Sequence, residues 1–104
     1  MDENEGYQRV AALAEVPEGG TLAVEIDGRP LVLIRDGDSV HAMDDACPHA
    51  GAPLSEGVLD DGAITCTWHG WGFRLSDGAC LDQPGVTVPC HRVRVFDGDV
   101  LVRI

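Results

Sequence analysis

Apolar and polar positions alternate along much of this chain at the period of a strand. From Thr21 to Ile26 the side chains of Leu22, Val24 and Ile26 fall on one face. Leu31 to Ile34 is apolar without a break, the pattern of a strand buried on both faces. Ser39 to Met43 follows after a tight turn, and Ile64 to Thr67 predicts a further short strand. Near the end, Val93 and Val95 oppose Arg92 and Arg94, and Val100, Val102 and Ile104 predict a last inward face. Asp-Gly occurs five times, as Asp27-Gly28, Asp36-Gly37, Asp61-Gly62, Asp77-Gly78 and Asp97-Gly98. That dipeptide suits the positive-φ positions of hairpin turns. Short strands between such turns predict an all-β fold, a sandwich or barrel. One stretch, Val10 to Val16, has a helix-like pattern, and Pro17 stops it.

Between residues 45 and 90 the strand pattern fades, and Gly, Pro, Cys, His and Trp concentrate. So long an irregular stretch in a small domain needs something other than apolar burial to hold it. Bound metal would do so, because ligand bonds replace a missing core. Two close Cys/His pairs stand there: Cys47-Pro48-His49 and Cys66-Thr67-Trp68-His69, with sixteen residues between His49 and Cys66. Thiolate is a soft donor and neutral imidazole a borderline one, a set suited to iron or zinc. Tetrahedral zinc is the rival centre. A zinc finger, however, keeps its cysteines on one hairpin and its histidines on one helix, whereas here each arm carries one of each and no helical pattern follows.

Composition narrows the setting. The 104 residues suit a single domain. They include 18 acidic and seven basic side chains, a formal net charge of −11, which disfavours nucleic acid and anionic membranes and favours a basic protein partner. No apolar run exceeds the five residues Val10 to Ala14, so no membrane span is predicted. The first twenty residues hold five Asp or Glu and no hydrophobic stretch, unlike a secretory signal, so a cytoplasmic location is expected. In a reducing compartment a Cys80–Cys90 disulfide is disfavoured, and both are expected to be small buried side chains. His41 and His91 are expected to be ordinary strand residues. The pairs Asp44-Asp45 and Asp60-Asp61 are expected at the solvated surface.

The motifs Cys47-Pro-His49-Ala-Gly51 and Cys66-Thr-Trp-His69-Gly70-Trp-Gly-Phe73 closely resemble the two boxes of Rieske-type iron–sulfur proteins, and Gln83-Pro84-Gly85 resembles that family's proline loop. The resemblance implies a Rieske-type fold in one domain over residues 1–104. Its β base would comprise 1–44 and 90–104, and 45–89 would form an inserted cluster-binding subdomain. It implies one [2Fe–2S] cluster per chain, with Cys47 and Cys66 on one iron and His49 and His69 on the other. Two ferric ions, two sulfides and two thiolates sum to zero charge, so adding an electron is easier than to an all-thiolate cluster, and potentials span roughly −150 to +300 mV.

High-potential respiratory members carry an additional Cys in each box. The matching positions here are Ala52 and Trp68, so their disulfide cannot form. Those members also place Ser and Tyr hydroxyls where this chain has Trp71 and Phe73. The chain therefore resembles the soluble, low-potential ferredoxins. The implied function is that of a monomeric, non-catalytic one-electron carrier. Its donor would be a flavoprotein reductase, and its acceptor the terminal oxygenase of an aromatic-ring-hydroxylating dioxygenase system. The small subunit of an assimilatory nitrite reductase is the similar alternative. A catalytic oxygenase subunit is disfavoured by length and by the lack of an evident 2-His-1-carboxylate site.

Overall fold

Three of the Asp-Gly pairs close two-residue hairpins with both residues at positive φ: Asp27 and Gly28 at 52° and 81°, Asp61 and Gly62 at 49° and 77°, Asp97 and Gly98 at 52° and 79°. These are the dihedral signs that match the right-handed twist of the flanking strands. At the fourth hairpin Gly37 opens the loop at φ 63° while Asp36 stays in its strand.

The computed structural model describes residues 6–48, 51–68 and 70–104. Among the described residues nine strands form: β1 (Gln8–Ala12), β2 (Thr21–Ile26), β3 (Arg29–Asp36), β4 (Ser39–Asp44), β5 (Val58–Asp60), β6 (Ala63–Thr65), β7 (Gly72–Arg74), β8 (Cys90–Phe96) and β9 (Asp99–Arg103). Six of them make one antiparallel sheet in the order β1-β9-β8-β4-β3-β2, and β5-β6-β7 make a second, smaller one. The all-β expectation holds. The described residues include no helix long and apolar enough to cross a membrane.

Strand β3 is the wall between two cores. Leu31 and Leu33 face one way, into a cluster with Ile26, Ala42, Val100 and Val102. Val32 and Ile34 face the other way, into a cluster with Met43, Cys47, Leu54, Ile64, Cys66, Phe73 and Val88. All four β3 side chains are fully buried, as the unbroken apolar run requires. Each contributes about 1.5–3 kcal/mol of burial free energy. The second cluster joins the large sheet to the region where strand pattern fails.

Three expectations are corrected. Val10 to Val16 is not helical. Val10 lies at a bulge where β1 shifts register against β9, and a 3₁₀ turn covers Leu13–Glu15. Pairing with β9 satisfies the β1 backbone, and the Ala12 N–H donates to the Glu15 carboxylate at 2.8 Å, so a short turn replaces the helix. Ile104 is 47% exposed, because β9 ends at Arg103 opposite Arg92 and nothing pairs beyond. Val95 is 43% exposed, because β4 pairs β8 only at His91 and Cys90 and leaves the rest of that edge uncovered.

Candidate metal centre

Strands β4 and β6 each lead into a cysteine loop. The two loops are built alike. In the first, the Cys47 N–H donates to the Ala52 carbonyl at 2.7 Å, and the Gly51 N–H donates to the Cys47 carbonyl at 2.7 Å. In the second, the Cys66 N–H donates to the Trp71 carbonyl at 2.8 Å, and the Gly70 N–H donates to the Cys66 carbonyl at 2.9 Å. Each cysteine thus binds backbone groups four and five residues on. Gly51 and Gly70 sit at φ 72° and 75°, and open space surrounds the position a Cβ would take at either. Both are needed for their backbone angle, not for room. A glycine four residues after each cysteine was the sequence signal for this shared frame.

Both cysteines are buried, Cys47 at 1% and Cys66 at 0% exposure, and neither is in a disulfide. They lie in one apolar cluster with Phe73, Ile64 and Leu54. Two cysteines held on matching loops and buried in one apolar cluster suit a shared soft centre. His49 and His69 lie outside the described residues. Trp71 is half-buried against the same cluster, whereas Trp68 is 60% exposed.

The loops are fastened by carboxylates. Asp45 accepts from the Ser55 N–H and the Ser55 hydroxyl, both at 2.7 Å, and Thr21 Oγ1 on β2 donates to the Ser55 carbonyl at 2.7 Å. Asp44 accepts from Arg29 through Nε at 3.2 Å and a terminal guanidinium nitrogen at 3.1 Å, and lies 2.7 Å from His91 Nε2. Burial opposes ionisation of Asp44, but the hydrogen bonds and charges of Arg29 and His91 together hold its carboxyl below the usual range. Both residues of the Asp44-Asp45 pair are half-buried and bonded, a correction to the expected solvated surface. Their signal was positional: they immediately precede the first cysteine loop, where β4 ends.

The second loop is tied to residues 80–86. The Gly72 N–H donates to Asp82 Oδ2 at 2.7 Å, and the Leu81 N–H donates to the Gly72 carbonyl at 2.8 Å. The Cys80 N–H bonds the Val86 carbonyl at 2.9 Å, which closes Gln83-Pro84-Gly85 into an exposed turn. Cys80 is half-buried against the cluster. Cys90 is exposed rather than buried, a further correction: its backbone pairs with Met43, but its side chain joins neither core cluster. Its Sγ lies 3.6 Å from the Val88 carbonyl, and burial of the thiol, then Asp77 and Asp44, push its pKa up. A Cβ at Gly78 would collide with that same carbonyl and with Cys90 Sγ, so position 78 tolerates no side chain.

Comparison with known proteins agrees with this geometry. The model of the Rieske [2Fe–2S] domain matches residues 6–97. Ferredoxin CarAc of Metapseudomonas resinovorans is 35% identical over 102 residues, 95% of this chain and 94% of that one. Human apoptosis-inducing factor 3 is 38% identical over 95 residues, 90% of this chain but only 16% of its own length. This chain therefore spans about a sixth of that relative and nearly all of the ferredoxin. The solved ferredoxin of carbazole 1,9a-dioxygenase from Nocardioides aromaticivorans IC177 superposes with a TM-score of 0.87 at 35% identity, covering 93% of this chain and 96% of that one. The chain belongs to the Rieske [2Fe–2S] domain family, whose cofactor is a Rieske-type [2Fe–2S] cluster.

Proposed function

We propose that this protein is a ferredoxin that carries single electrons and performs no catalysis itself. Cys47 and Cys66 ligate one iron of the cluster, and His49 and His69 the other. When bound, that group takes up and releases one electron at a potential above those of all-cysteine ferredoxins. The observation that carries the reading is the pair of matching loops that bury two cysteines in one apolar cluster. That burial excludes water from one side of the site, and the positive φ of Gly51 and Gly70 shapes the two loop turns.

The whole chain works as one domain, with residues 1–44 and 90–104 as base and 45–89 as the cluster-binding part. Its near full-length similarity to ferredoxin CarAc, and its superposition on the ferredoxin of a dioxygenase, support a terminal oxygenase as acceptor. A flavoprotein reductase is the matching donor. A cytoplasmic monomer fits the acidic charge of −11, and neither nucleic acid nor a membrane is a partner.

Iron and acid-labile sulfide analysis of anaerobically prepared protein tests the centre. Two irons and two sulfides per chain are expected, with pulsed EPR of the reduced form showing coupling to two imidazole nitrogens. Stoichiometric zinc without sulfide would overturn it. Cys66→Ser is expected to lose the cluster and, with it, protease resistance across residues 45–90. Reduction of a nitrite reductase catalytic subunit, with none of any oxygenase, would assign the electron transfer to nitrite assimilation instead.

A further inference from the structure

Among the charged side chains near the two loops, Asp82 is in an unusual position. It is on the exposed 81–85 turn, yet its Oδ2 accepts the N–H of Gly72, which is buried, at 2.7 Å. Gly72 begins β7 directly after Trp71, whose carbonyl holds the Cys66 N–H at 2.8 Å. The Gly72 carbonyl in turn accepts from Leu81. Both backbone groups of Gly72 are therefore spent on two consecutive residues of the turn. A buried N–H needs such a partner, and an ionised carboxylate is the stronger kind. Leu81 Cδ1 would lie 3.5 Å from a Cβ at Gly72, so the turn packs against the loop as well as bonding to it.

We propose that Asp82 is a positioning residue of the cluster site. Its carboxylate clamps the Gln83-Pro84-Gly85 turn onto the second cysteine loop through the Gly72 amide. Its negative charge, beside the loop that carries Cys66 and His69, also opposes uptake of an electron and holds the reduction potential down. The proposal rests on the cluster assignment above. The charge term is modest, because the residue is exposed and water screens part of its field. The two roles separate chemically. Asparagine keeps an acceptor oxygen at the same reach and removes the charge, whereas alanine removes both.

The test compares wild type, Asp82→Asn and Asp82→Ala as holoproteins. Iron and sulfide content of the wild type comes first: a wild type without a cluster overturns the assignment on which the proposal rests. With the cluster present, voltammetry at fixed pH and ionic strength reads the charge. Asp82→Asn is expected to shift the reduction equilibrium threefold to tenfold toward the reduced form, up to ~59 mV for one electron. An unchanged potential in Asp82→Asn overturns the charge role. Loss of cluster absorbance under an iron chelator reads the clamp. Asp82→Ala is expected to lose its cluster several-fold faster than wild type, and Asp82→Asn at close to the wild-type rate. Equal rates for Asp82→Ala and wild type overturn the clamp.

Discussion

Phe73 shows how one side chain serves both the core and the chemistry. It is fully buried, pairs across from Ile64 in the small sheet, and shares its cluster with both cysteines. High-potential members of the family place a hydroxyl at the matching position. Without it the reduced state lacks a charge-assisted hydrogen bond worth roughly 1.5–3 kcal/mol. The wild-type potential is therefore expected near the lower end of the family range, about −150 mV. Phe73→Tyr adds an oxygen to a dry cluster, so that hydroxyl must find an acceptor. It is expected to raise the potential by tens of millivolts, up to about 130 mV if the bond forms fully, as read by voltammetry. A wild-type potential above about +100 mV would contradict the low-potential assignment. Trp71→Ser is the less clean companion, because Trp71 is half-buried against the same cluster and its loss opens room for water.

Between elements, the Arg29–Asp44–His91 group links the start of β3, the end of β4 and β8, where β4 and β8 share only two register pairs. The side chain of His91 is 8% exposed, so Asp44 partners a group that water reaches poorly. Because the Asp44 pKa is lowered on folding, its contribution to stability is fully present above the unfolded aspartate value of about 3.9. It is lost as pH falls through the lower folded value. Asp44→Asn is expected to destabilise the protein by about 1–2 kcal/mol at neutral pH in urea unfolding. That difference should shrink as pH falls below about 4. A difference that grows on acidification would sink this account. The Arg74–Asp77 pair, with Asp77 held at about 2, works in the same direction, but it is exposed and screened by water, so its share is small.

On the scale of the molecule, charge and apolar surface compete to set how a partner is met. The net charge of −11 gives a long-range attraction to a basic acceptor surface. Trp68 and Leu81, at 60% and 59% exposure, lie within one cysteine loop and at the start of the turn clamped to it, and they offer apolar contact area there. Steering by charge weakens as the Debye length falls from about 10 Å at 0.1 M salt to about 3 Å at 1 M. The second-order rate of electron transfer to the acceptor is expected to fall steadily as ionic strength rises in stopped-flow mixing. A rate flat across that range would place the docking energy in the apolar residues instead.

Residues that act through local geometry were legible in the chain itself. Alternation in β2 and β8, the unbroken run of β3 and the Asp-Gly turns each depend on neighbours a few positions away, and the all-β architecture follows from them. The likeness of the two cysteine loops was legible for the same reason, since each frame needs only a glycine four residues after its cysteine. Tertiary structure decided what depends on distant partners. It turned Val10–Val16 from a helical pattern into a bulged strand and a 3₁₀ turn, because β9 supplies its backbone partners. It drew Asp44, Asp45 and Asp82 out of the acidic background into specific bonds with His91, Ser55 and Gly72. A carboxylate in sequence carries only its charge; which N–H it meets is set by how sheets, loops and turns pack. Cys90 and Ile104 stayed exposed for the complementary reason: an apolar or thiol side chain is buried only where another strand arrives to cover it.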